Sequence, residues 1–94
     1  MVRQRVILGS VGDDELARSS AHRLRDEGHE VVYAGGGQTP EQLVRTAIAE
    51  DVVAIVVDGD AASLALIADL CVELGAVDIV VTPLDGPPGA TRSR

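Results

Sequence analysis

Acidic residues recur where turns follow apolar runs. Asp13 and Asp14 come after Val6-Ile7-Leu8, Asp58 and Asp60 come after Val52–Val57, and Asp85 lies near the C-terminus. Carboxylates gathered at one edge are hard oxygen ligands, so Asp13, Asp14, Asp58 and Asp60 are candidate ligands for a divalent cation. Asp13, Asp14 and Asp58 are equally candidates for general acid or base catalysis. Glycines accompany the acids: Gly12, the run Gly35-Gly36-Gly37, and Gly59, with Thr39 opening the segment after the triple glycine. Backbone N–H groups of such loops, at a helix start, can cradle an anionic part of a small-molecule ligand. Gly12, Gly35, Gly36, Gly37, Thr39, Asp58 and Gly59 are therefore the cofactor-binding candidates. The plainer reading has Asp13 or Asp14 and Asp60 capping helices, the other acids solvated in turns, and the triple glycine a flexible loop.

The elements that position these residues follow from periodicity. Gln4–Leu8 reads as a first strand. A helix begins near Asp13 or Asp14, buries Leu16, Ala17, Ser20, Ala21 and Leu24 at three-four spacing, and ends at Gly28. Glu30–Tyr33 is a second strand. Thr39-Pro40-Glu41-Gln42 carries a capping Thr, Pro at the first helical position and Gln three residues after the cap. Leu43, Val44, Ala47 and Ile48 give that helix its buried stripe. Val52–Val57 is a continuous apolar run, as a central parallel strand requires. Asp60 can cap a third helix, about Ala61–Leu74, with Leu64, Ile67, Leu70, Cys71 and Leu74 toward the core. Asp78–Val81 is a fourth strand. The order β-α-β-α-β-α-β with right-handed crossovers makes an open three-layer α/β sandwich with a parallel sheet. Its ligand crevice lies at the carboxyl ends of the strands, where the loops bearing the acids and glycines gather.

Composition sets further bounds. The chain has 94 residues, no Phe or Trp, one Tyr, and a formal charge of −7. One domain is expected over residues 1–86, with 87–94 a flexible tail. The acidic balance argues against nucleic acid and anionic membranes as partners. Cys71 is alone, so no internal disulfide forms, and its apolar helix makes it a core thiol. His22 and His29 read as surface residues, and Ser19 and Ser20 have no His-Asp arrangement beside them. With no apolar run long enough to span a membrane and no signal-peptide pattern, a cytoplasmic location is expected.

The phrases LRDEGHEVVYAG (24–35), QTPEQLV (38–44), AIAEDVVAIVV (47–57) and LGAVDIVV (74–81) carry a resemblance. From Arg3 to about Val81 the chain resembles the cobalamin-binding domain of methylmalonyl-CoA mutase type acyl-CoA mutases, and small mutase subunits. The resemblance implies a flavodoxin-like fold. With the family's fifth strand absent from this stretch, the sheet is truncated to four strands in order 2-1-3-4 with three helices. It also implies a cobalt-ligating His in an Asp-x-His-x-x-Gly motif after strand one. Aligned back from Gly28 without a gap, Val11 stands at the Asp, Asp13 at the His and Leu16 at the Gly. A two-residue gap puts Asp14 at the Asp and Leu16 at the His. The family's Ser-x-Leu after strand three corresponds to Asp58-x-Asp60, and its paired glycines after strand four to Pro83-Leu84.

These departures set the expectations. The chain is read as a small cobalamin-binding-domain-like protein without the His lower-ligand motif: a non-catalytic binding or assembly module holding no cofactor. The alternatives are a cobalamin-carrying small subunit of an acyl-CoA mutase (an isomerase), its cobalt without the axial His, and a small enzyme using the crevice carboxylates. A phospho-acceptor built on Asp13, Asp14, Asp58 and Thr82, in the manner of receiver domains, fits less well because the first acids come late and no Lys follows a fifth strand. A sheet stopping at strand four leaves an apolar edge. The expected partner is therefore a second copy docked through strand four and the third helix, or a larger partner protein.

Overall fold

A computed structural model describes residues 4–84. The expected tail, 87–94, and Asp85 lie outside the described residues. Four parallel strands form one sheet in the order β2-β1-β3-β4. They are β1 (Arg5–Ser10), β2 (Glu30–Gly35), β3 (Ala54–Asp58) and β4 (Val80–Pro83), and the crossovers are α1 (Glu15–Asp26), α2 (Pro40–Ala49) and α3 (Ala61–Glu73). This is the flavodoxin-like α/β arrangement that the sequence implied.

The helix ends show why the chain turns where it does. Thr39 Oγ1 accepts from Gln42 N–H at 3.1 Å, and Gln42 Oε1 accepts from Thr39 N–H at 2.9 Å, a complete capping box before Pro40. Asp60 Oδ1 accepts from Ser63 N–H at 2.8 Å and opens α3 with this single side-chain cap. After α1 and α3 the chain reverses through Gly28 (φ +98°) and Gly75 (φ +79°), a left-handed conformation in which a Cβ is costly.

Two apolar layers cover the sheet. On one face, α2 and α3 pack Leu43, Val44, Ala47, Ile67 and Cys71 against Ile7, Ile55 and Val57. Burial pushes the Cys71 thiol pKa up, as for an inert core sulfur. On the other face, α1 packs Ala17, Ala21 and Leu24 against Leu8. The side chains are aliphatic throughout, so close packing of branched residues makes up for the missing aromatics.

Three expectations about packing change. Strand four runs Val80–Pro83 rather than Asp78–Val81, because Ile79 N–H still bonds back to Ala76 and the ladder with β3 starts at Ala54↔Val80. Pro83 is tolerated in it because β4 is an edge strand among the described residues. Ile48 and Leu74, expected inside, are exposed, and on α3 only Ile67 and Cys71 are buried. Leu84 does the reverse. Its N–H donates to Val57 O at 2.9 Å, and its side chain is buried with Leu8, Ala17, Ala21 and Leu24. Leu84 thus carries the end of the described chain back over the α1 face. Leu84→Ala should cost about 2 kcal/mol, the low end for a buried leucine at the rim of a core. Urea denaturation measures it, and an unchanged midpoint would show that the side chain contributes nothing there.

Candidate functional site

All three strand-to-helix loops meet at the carboxyl edge of the sheet, and they are tied to one another by backbone. Ser10, the last residue of β1, is buried. Its Oγ donates to Asp13 O at 2.8 Å, lies 3.3 Å from Asp58 O, and accepts from Gly12 N–H at 3.1 Å. Ser10 O accepts from Gln38 N–H at 2.9 Å, Gly12 O from Gly37 N–H at 2.8 Å, and Asp58 O from Val11 N–H at 3.2 Å. The edge is therefore a stitched platform, with its three loops held in register by these bonds.

Two of the candidate glycines are places where the loops touch. A Cβ on Gly36 would stand 2.8 Å from Gly12 O and 2.9 Å from Asp14 Cβ, and one on Gly59 would stand 3.1 Å from Val11 Cγ2. Gly36 lets the second loop lie on the first, and Gly59 lets the third do so. Gly35 and Gly37 have positive φ and open space where a side chain would be, so they serve the turn itself.

The acids take separate local partners. Asp13 Oδ1 accepts from Glu15 N–H at 2.9 Å, just ahead of Asp14, the N-cap of α1, whose own side chain makes no capping bond. Asp14 Oδ2 accepts from the Tyr33 hydroxyl at 2.7 Å. Ser63, through its N–H and then its side chain, holds the Asp60 carboxyl below its usual range. Asp58 contributes its carbonyl to the stitching. Among the described residues, no group of three or more His, Cys, Asp or Glu side chains gathers closely enough to hold a metal ion. The acids thus share an edge but do not converge on one point.

Neither histidine stands in these loops. His22 is exposed along α1, and His29 lies in the turn from α1 into β2, at the opposite edge. Leu84 fills the space beside Leu8 and Ala17 on the α1 face. The residues present do not fit a cobalt ligated by a protein imidazole. A hollow of about 240 Å³ lies away from the platform, at the amino edge between the ends of α2 and α3. Ser10 and Tyr33 were not singled out from sequence. The signal for Ser10 was a hydroxyl ending an apolar strand, and for Tyr33 it was the chain's lone aromatic.

No family model matches the chain. The 2-hydroxyisobutanoyl-CoA mutase small subunit of Aquincola tertiaricarbonis is 47% identical over 51 residues, covering 51% of this chain and 38% of that relative. This chain is similar to a mutase small subunit. The resemblance in the sequence is thereby borne out, and it overturns one expectation drawn from the altered motifs. A chain holding no cofactor is not what the likeness indicates: within the cobalamin-binding resemblance, a mutase small subunit points to cobalamin. Among the described residues no helix is long and apolar enough to cross a membrane.

The Tyr33–Asp14 contact is open to direct titration. Partial desolvation of the phenol, then the hydrogen bond to Asp14 and its charge, raise the Tyr33 pKa. The neutral phenol is the favoured form, so this contact stabilises the fold below the ordinary tyrosine pKa of about 10 and is lost as pH climbs through the raised value. Spectrophotometric titration should place the midpoint above that ordinary value, and Asp14→Ala should lower it. An identical midpoint in both proteins would contradict the contact.

Proposed function

We propose that this chain is the cobalamin-carrying small subunit of an acyl-CoA mutase, an isomerase that works with a larger subunit. The observation that carries the reading is the 47% identity over 51 residues to a mutase small subunit. It favours this reading over a binding module with no cofactor. A preformed carboxyl-edge platform of backbone and small residues is the part of the chain suited to receive a large planar ligand. The rim brings no imidazole, so the backbone of the three stitched loops would hold the ligand without a protein nitrogen at its metal.

Aquocobalamin mixed with the chain and passed through a desalting column tests this. Cobalt should elute with the protein, and the electron paramagnetic resonance spectrum of the reduced Co(II) complex should be unchanged when the protein is labelled with ¹⁵N-histidine. Cobalt eluting wholly apart from the protein would contradict the carrier role. Nitrogen splitting altered by the label would show a histidine of this chain on the metal and contradict the reading of a rim without imidazole.

A further inference from the structure

Helix α3 is apolar on nearly every side: apart from Ser63, Asp69 and Glu73, each of its residues from Ala61 to Glu73 is Ala, Leu, Ile, Cys or Val. A helix of that composition is ordinarily covered all round. Here only Ile67 and Cys71 are buried. Ala61, Ala65, Ala68 and Val72 follow the four-three-four spacing of a single stripe, and all four are exposed, Val72 by 66%. Three alanines in a row leave a smooth surface on which another helix can lie close.

Charge says what can lie there. Residues 52–84 carry Asp58, Asp60, Asp69, Glu73 and Asp78 and have no Lys, Arg or His. Asp69 and Glu73 are exposed one turn apart in the row beside the stripe, and Asp60 stands at the helix start. Two copies meeting stripe to stripe would oppose these acids with no cation from either α3, an arrangement that costs affinity. The expected homodimer through β4 and α3 meets the same obstacle.

We propose that the Ala61–Ala65–Ala68–Val72 stripe docks a larger partner protein, through a surface apolar at its centre and bearing arginine or lysine at its rim. The proposal rests on the small-subunit reading for the partner's size, but its test needs neither cobalamin nor mutase activity. Failure here therefore leaves that reading standing, and the reverse also holds. Asp69→Arg/Glu73→Arg supplies a probe of matched shape and opposite rim. Light scattering after size exclusion, at low salt and tens of micromolar, should find the wild type monomeric and the variant monomeric. An equal mixture should form a one-to-one complex that salt dissociates. Val72→Gln in the wild-type member should weaken that complex about tenfold or more. If circular dichroism shows the double variant unfolded, Glu73→Arg alone replaces it. Wild type dimerising by itself at low salt would overturn the proposal in favour of a second copy. A mixture that stays monomeric would overturn it outright.

Discussion

The buried hydroxyl of Ser10 is the constraint on which the carboxyl edge depends. A polar group out of reach of water must find partners, and leaving one unmade costs about 1–3 kcal/mol. Ser10 finds them in the loops that leave β1 and β3, through Asp13 and Gly12 in one and Asp58 in the other. Its carbonyl reaches the third loop at Gln38. Because β1 sits between β2 and β3, one residue at its end can hold all three loops. The platform is made mostly of backbone, so it depends less on which side chains the loops carry than on the glycines that let them approach.

That construction reconciles the altered motifs with the likeness to a mutase small subunit. Asp13 holds the first N–H of α1, Asp60 caps α3 and Asp14 anchors Tyr33, so these carboxylates have structural work at the edge. The same economy explains the uneven layers. The α1 face is closed off by Leu84, whereas α3 offers the sheet two buried residues and turns a smooth, acid-flanked surface outward.

Much of the fold was legible in the sequence because its signals are local. Thr39-Pro40-Glu41-Gln42 fixes a helix start through its own four residues, and Gly28 and Gly75 mark ends for a steric reason. The alternation of elements then leaves few topologies. What escaped was set by contacts distant in sequence. Leu84 was not among the expected core residues because nothing around it announces burial, and only the return of the chain across the α1 face places it beside Leu8. Strand four began two residues late because the ladder with β3, not the apolar run, decides where pairing starts. Of the stripe assigned to the core on α3, Leu64 and Leu70 pack against it partly buried and only Leu74 lies exposed, since periodicity tells that a helix is apolar but not how many of its sides are covered. At the site, the acids were legible as a group on one edge, but their separate hydrogen bonds were not. Nor was cofactor loss readable from motif departures alone, because a chain with those departures is still 47% identical over 51 residues to a mutase small subunit.

The platform's dependence on Ser10 can be measured amide by amide. Native-state hydrogen exchange by NMR on Ser10→Ala should show faster exchange at Gly12, Gly37 and Gln38, whose N–H groups take part in the stitching, with Ile7 and Ile55 in the core strands still protected. Unchanged protection at those three loop amides would contradict the account, because the loops would then be held in register without the Ser10 hydroxyl.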